Sequence, residues 1–266
     1  MIAAILTKWS FDPSVFTGLA VLCAGYWWYA RRERNPRQDR RFVAAMLIAL
    51  LALESPLDFV ADRYLFSAHM VQHLVLILGV APLLALAVPD GFIADVKASL
   101  LAPLARFCVH PVVVFVAFVV DVWAWHAPPM YEATLHSEAV HVAEHLSFIA
   151  VSAAFWWVAF APNDGVAQLP MIGRVAYVFL AGIPNTLLGA LITFAPVVLY
   201  PSYQLALEQP GLGRALQLQW GITALTDQEL GGLLMWVPGG FVYLAVIVAI
   251  FMSSFARPSA AEAEPA

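Results

Sequence analysis

The chain has 266 residues, of which 62 % are hydrophobic and only 12 % are charged, and its net charge is −5. A soluble globular domain carries about 25 % charged residues, so this composition and a mean hydropathy of +0.80 exclude that class. The two cysteines, Cys23 and Cys108, form no CxxC motif, which excludes a cysteine-based metal or redox motif. We therefore expect an all-α, polytopic membrane protein.

Seven apolar segments are long enough to cross a bilayer, since a spanning helix needs about 20 mainly apolar residues. They predict a seven-transmembrane-helix bundle that forms a single domain over residues 1–256. Residues 257–266 lack apolar periodicity and are predicted to be a disordered cytoplasmic tail. The predicted spans are residues 14–30, 42–60, 67–88, 105–126, 139–161, 173–200 and 228–255.

The distribution of positive charge predicts the orientation of the bundle. The loop between the first two spans, "RRERNPRQDRR", holds six arginines, and excess Lys and Arg mark cytoplasmic loops. With this loop inside, ten of the 13 basic residues fall on the inner side. The pattern places the N-terminus outside and the C-terminus inside. Because topology explains this loop, we expect no nucleic-acid binding by it.

The histidines segregate to the outer side of this topology. Six of the seven lie on or just below the outer face, and only His110 lies at an inner helix end. We interpret His110 and His136 as interfacial residues without a ligand role. The six outer histidines are His69, His73, His126, His136, His141 and His145.

Two pairs of these histidines have the spacing of a metal site. His69 and His73 open the third span, and His141 and His145 open the fifth. Residues four apart share one face of a helix, so two facing helices can offer four imidazoles. Imidazole binds copper, zinc, iron and nickel. His126, followed by "APP" at the end of the fourth span, is a fifth candidate ligand.

Other polar and sulfur-containing residues enter the spans from the same side. We expect three of them to orient the ligands and limit solvent access, because metal-bound imidazoles donate their second N–H to such groups. These are Gln72, Glu144 and Asp227. Met70 and Met235 are candidate soft ligands for Cu(I). Asp121, inside the fourth span, has no role that the sequence defines.

Residues 141–145, "HVAEH", also match the H-x-x-E-H pattern of inverted zincins. In those enzymes two histidines hold zinc and the glutamate acts as a base. An intramembrane zinc hydrolase that uses His141, Glu144 and His145 is therefore an alternative function. Ligation of haem by two histidines is a further alternative.

Three blocks resemble the CtaG membrane family, the assembly factors of caa-type cytochrome c oxidases. They are "ESPLDFVADRYLFSAHMVQHLVLILGVAPLLAL" (54–86), "WHAPPMYEATLHSEAVHVAEHLSFIAVSAAFWW" (125–157) and "TDQELGGLLMWVPGGFVYL" (226–244). The block "VAPLLAL" departs from the family pattern because it has one proline, Pro82, where we expect two. The matching functional set that the resemblance implies is His69, Met70, His73, His126, His141, Glu144, His145, Asp227 and Met235.

The resemblance implies a protein of the bacterial inner membrane that is needed to make active oxidase. Such oxidases contain copper and haem, so an outward-facing, cysteine-free histidine site suits copper on the periplasmic side. We expect a metal-binding assembly factor without enzymatic turnover. Its partners would be the lipid bilayer and cytochrome c oxidase subunits or copper chaperones. A metal-free assembly scaffold is a second alternative.

Overall fold

The computed structural model describes residues 5–160 and 169–255. All regular structure in these ranges is helical, which confirms the all-α prediction, whereas the predicted tail 257–266 lies outside them. The α-helices are α1 (Pro13–Ala30), α2 (Pro36–Glu54), α3 (Pro56–Ala61), α4 (Phe66–Val75), α5 (Ala81–Ala85), α6 (Asp90–Ala98), α7 (Ala102–Cys108), α8 (Pro111–His126), α9 (Pro128–His136), α10 (Glu138–Phe160), α11 (Met171–Thr193), α12 (Pro201–Glu208), α13 (Leu212–Trp220) and α14 (Ala224–Phe255).

Among the described residues, five helical stretches are long and apolar enough to cross a membrane. They are Pro36–Ala61, Phe66–Ala85, Glu138–Phe160, Met171–Thr193 and Ala224–Ser253. The pair α7 and α8 makes a sixth if it is counted as one bent span. Helix α1 covers the predicted first span but is not among these five stretches. The protein is thus a multi-pass membrane protein, and the count of seven and the orientation stay predictions.

The predicted fourth span, 105–126, is not one straight helix. Helix α7 ends at Cys108, α8 begins at Pro111, and the two axes differ by 55°. A proline has no N–H to donate and fits only the first turn of a helix. Pro111 therefore begins a new helix after His110 rather than continuing α7.

The predicted sixth span, 173–200, is helical only as far as Thr193. Pro196 disfavours helical geometry in the residue before it, and the chain from Phe194 to Tyr200 is irregular. Gln228 of α14 satisfies this backbone: its amide accepts from Leu199 N–H (2.6 Å) and donates to Val197 O (3.1 Å). A polar residue inside an apolar helix thus supports the irregular segment.

The third predicted span contains a π-helical turn at Leu76–Val80, between α4 and α5. In a π-helical turn the hydrogen bonds join residues five apart instead of four, which changes the carbonyl that each N–H group binds. Such turns are frequent at functional sites. Trp156 of α10 donates its indole N–H to Ile77 O at 2.7 Å. This bond ties α10 to the helix that carries His69 and His73.

The two ends of the bundle differ in chemistry. At one end, Arg41 donates to Leu86 O and Arg174 donates to Ala159 O, so arginines satisfy the carbonyls of helix ends. At the other end lie the C-terminus of α3 and the first turns of α4, α10 and α14. We call this the histidine end, because His69, His73, His141 and His145 lie there.

Candidate metal centre

The start of α4 is fixed by a carboxylate from another helix. Asp227 of α14 accepts hydrogen bonds from the backbone N–H groups of Phe66 (2.6 Å) and Ser67 (3.4 Å) and from the Ser67 hydroxyl. The first N–H groups of a helix have no partner inside it, so an acceptor there stabilises the helix. Asp227 thereby positions the turn that carries His69, although it contacts backbone rather than imidazole.

Helices α4 and α10 face each other at the histidine end. On α10, His141, Glu144 and His145 share one face because they lie three and four residues apart. Across the interface, the ring centroids of His73 and His145 are 5.5 Å apart, and those of His69 and His145 are 6.0 Å apart. The two predicted histidine pairs are therefore adjacent in space.

Four side chains converge in what we call the inner site: His69, His73, Glu144 and His145. One ligand atom from each lies within 4.8 Å of the others, and all four residues are buried. The Nε2 atoms of His69 and His73 are 2.8 Å apart, and Glu144 Oε2 lies 3.7 Å from each. Two bare imidazole lone pairs repel at such a distance, so a shared proton or a cation must lie between them.

Several polar atoms of the inner site lack a hydrogen-bond partner among the described residues. They include both carboxylate oxygens of Glu144, Nε2 of His145 and Nδ1 of His73. A buried polar atom without a partner costs about 1–3 kcal/mol, and a charged one costs more. A metal ion bound to the Glu144 oxygens and to Nε2 of His145 would remove that cost for these three atoms, so the donor set fits a metal.

Three side chains form a neighbouring group, which we call the outer site: Asp62, His69 and His141. Their ligand atoms also lie within 4.8 Å of one another, so His69 belongs to both sites. His141 Nε2 lies 3.6 Å from Asp62 Oδ1, and neither atom has a hydrogen-bond partner in the described chain. Burial, reinforced by the neighbouring Asp58 carboxylate, raises the pKa of Asp62 to about 8, so a metal ion that binds this carboxylate displaces its proton.

Tyr203 of α12 sets the tautomer of His69. Its hydroxyl donates to Ala61 O (2.9 Å) and lies 3.1 Å from His69 Nδ1. Because that hydroxyl proton is already given to a carbonyl, His69 must donate its Nδ1–H to the Tyr203 oxygen. His69 Nε2 then carries a lone pair directed at the ligand cluster. Burial raises the pKa of Tyr203, which keeps the phenol neutral.

His126, the fifth predicted ligand, lies outside both sites. Its Nδ1–H donates to Val122 O at 2.7 Å, which leaves the Nε2 lone pair facing Met70 Sδ at 3.4 Å. Met70, Met235 and His126 line a cavity of about 40 Å³ that also touches His73. These potential donors therefore adjoin the inner site at His73.

The remaining predicted residues have separate environments. Gln72 donates to Ala52 O and Asp58 Oδ1, both at 2.9 Å, so it binds the α2–α3 junction rather than an imidazole. Glu144, predicted to orient ligands, lies among the ligand atoms themselves. Asp121 accepts from the Trp125 indole N–H at 3.1 Å. His110 and His136 are exposed.

Sequence reasoning missed two residues of this centre, Asp62 and Tyr203. Asp62 lies seven positions before His69, but the irregular turn at residues 62–65 separates them, so no helical register connects them. An acidic residue at the end of a membrane helix was the available signal. Tyr203 is 134 residues from His69 and has no such signal.

Comparison with known proteins identifies the family of this chain. The family model described as cytochrome c oxidase caa3 assembly factor (Caa3_CtaG) matches residues 21–257. The chain belongs to this family. The match confirms the resemblance seen in the sequence.

Curated relatives are similar over nearly the whole chain. An uncharacterized protein of Mycobacterium bovis is 27 % identical over 273 residues, which cover 94 % of this chain and 40 % of the relative. An uncharacterized protein of Mycobacterium leprae is 25 % identical over 278 residues, which cover 96 % of this chain and 40 % of the relative. The chain thus spans less than half the length of these relatives. No solved structure matches it.

Proposed function

We propose that this CtaG-family protein binds a copper ion at the inner site and assists metallation of a caa3-type cytochrome c oxidase. The observation that carries the proposal is the convergence of three imidazoles and one carboxylate, both of whose oxygens lack a hydrogen-bond partner in the described part of the chain. Nitrogen and oxygen donors suit Cu(II) or zinc, whereas thioethers suit Cu(I). The assembly-factor family favours copper, since such an oxidase contains copper in addition to haem.

In the proposed arrangement the protein has seven spans in a bacterial inner membrane, and the histidine end faces the periplasm. The positive charge at the opposite end supports this orientation. Oxidase subunits or copper chaperones would exchange the ion with the protein at the histidine end. The ion is cargo in this account, so no turnover is required.

Metal content of the purified chain tests the proposal. After reconstitution with Cu²⁺ or Zn²⁺, we expect about one ion per chain for the wild type, because converging imidazoles bind such ions tightly. His73→Ala and His145→Ala should each lose the ion, and His136→Ala, an exposed histidine outside both sites, should retain it. Less than about 0.2 ion per wild-type chain would refute the site.

A zinc hydrolase is the second candidate, and the position of Glu144 is the observation that favours it. Glu144 lies beside three imidazoles with its oxygens unpartnered, as a general base would. In that case zinc should co-purify, and Glu144→Gln should keep the metal but abolish hydrolysis of a lipid amide or peptide. In the copper proposal Glu144 is a ligand, so Glu144→Gln weakens binding.

A metal-free scaffold would support oxidase assembly with all four histidines replaced by alanine.

A further inference from the structure

We propose that the outer site is the position at which a metal ion first binds, and that the ion then passes to the inner site by ligand exchange at His69. This inference rests on the proposed function, because it assigns a route to the same cargo. It gives Asp62 and His141 a role that differs from that of Glu144 and His145.

A polar vestibule of about 640 Å³ leads to the outer site. It lies between the segment before α1, the α2–α3 junction and the first turns of α10. Lys8 and Trp9, both exposed, mark its surface side, whereas Asp62, His141 and His145 lie in its wall. Asp12, Asp58 and Glu138 add carboxylates to the same wall and outnumber its two basic residues, Lys8 and Arg63. A wall with several carboxylates raises the local concentration of cations.

Burial increases from the vestibule to the inner site. The side chains of Asp62 and His141 are 32 % and 16 % exposed, whereas those of His69 and Glu144 are fully buried. A hydrated ion can therefore reach Asp62 before it reaches Glu144. The outer site can replace part of the hydration shell while the ion still contacts water.

His69 connects the two sites. Its ring centroid lies 5.3 Å from that of His141 and 4.3 Å from that of His73. Moving a bare ion through an apolar interior would be costly, because a lost hydration shell must be replaced by other donors. A shared ligand avoids this state. Bonds to Asp62 and His141 break as bonds to His73, Glu144 and His145 form, and no electron is transferred.

The rate of metal uptake separates the two sites. The test uses the purified full chain in detergent and Cu²⁺ alone as the probe, mixed in a stopped-flow instrument and followed by absorbance or fluorescence. Asp62→Asn should slow uptake by about tenfold or more, because it removes a ligand of the outer site and loss of even an outer-shell partner typically costs 10–100-fold, with the final number of ions per chain unchanged. Glu138→Gln, at an exposed carboxylate elsewhere in the vestibule wall, should keep the wild-type rate. Asp62→Glu, which restores a carboxylate, should recover most of it.

Each alternative result has a distinct meaning. Wild-type uptake by Asp62→Asn would overturn the outer site and leave the inner site standing. Equal slowing by Glu138→Gln would overturn it as well, because general attraction by charge would then explain the rate. A wild type that takes up no ion would overturn the proposed function together with this inference. If Asp62→Asn does not fold, His141→Gln serves in the same measurement with the same expected slowing.

Discussion

Asp227 of α14 and Phe66 at the start of α4 are joined by a 2.6 Å hydrogen bond from the Phe66 N–H to the carboxylate. The two residues are 161 positions apart, and His69 lies one turn further along α4. The seventh predicted span is thus connected to the histidines through the backbone of the third. The family-like sequence "TDQELGG" therefore supports the site without supplying a ligand.

Removal of this carboxylate should weaken the start of α4. We expect Asp227→Ala to lower the free energy of unfolding by about 1–2 kcal/mol, the upper part of the range for loss of a helix cap, and to lower metal affinity. Thermal unfolding in detergent and metal titration measure the two effects. Glu229→Gln removes an exposed carboxylate from the same helix and should change neither. A stable Asp227→Ala variant with normal affinity would contradict this role.

Gly231 gives a second test of the contact between α4 and α14. A Cβ atom at this position would overlap the Phe66 ring and lie 3.3 Å from Met70 Cγ. Overpacking of this kind costs about 1–3 kcal/mol, so Gly231→Ala should displace α4 and reduce both stability and metal binding. Gly239→Ala is the control, because its Cβ would meet only Leu74 Cδ2 at 3.9 Å. If the two variants behaved alike, the close contact at Gly231 would not matter.

Tyr203→Phe should alter metal affinity more than stability. It removes the hydroxyl that accepts the His69 Nδ1–H, and loss of such a partner typically costs 10–100-fold in metal affinity. Tyr200→Phe is the control. The Tyr200 hydroxyl is also buried, but it donates to His126 O, outside both sites. Competitive titration against a chelator of known affinity should show a decrease for Tyr203→Phe alone. Equal decreases would indicate a general effect of losing a buried hydroxyl.

Glu144→Gln should change the metal-free and metal-loaded proteins in opposite directions. Without metal, a buried ionised carboxylate that has no hydrogen-bond partner among the described residues is unfavourable, and replacing it by a neutral amide of the same shape lowers that cost. The metal-free variant should therefore unfold at a higher temperature than the wild type. Addition of metal should raise the unfolding temperature of Glu144→Gln by less than that of the wild type. Ligand binding stabilises by RT ln(1 + [L]/Kd), and the variant has the larger Kd. A lower midpoint without metal would contradict the unpaired state of Glu144.

The local part of the site could be predicted from the sequence. The four-residue spacing of His69 with His73, and of His141 with His145, depends only on helix geometry, and both pairs lie on adjoining helices. Asp62 and Tyr203 could not be predicted in this way. Asp62 reaches the site through an irregular turn, and Tyr203 reaches it from α12, a short helix whose packing no periodicity in the sequence indicates.

The fold, like the site, could be predicted from the sequence only in part. Apolar length was enough to locate five helical stretches that could cross a membrane, but the breaks at Pro111 and after Thr193 depend on local backbone chemistry. Gln228 forms hydrogen bonds with the backbone of Val197 and Leu199. A polar residue in an apolar span can thus stabilise a loop. Hydropathy averages over such residues and does not reveal what they bind.

The central claim is that three imidazoles and one carboxylate hold a single metal ion. X-ray absorption spectroscopy of the copper-loaded full chain tests it most directly. The account predicts a first shell of nitrogen and oxygen at about 2.0–2.1 Å with the multiple-scattering pattern of imidazole, and loss of part of that pattern in His73→Ala. A first shell dominated by sulfur at about 2.3 Å, or a spectrum unchanged in His73→Ala, would contradict it.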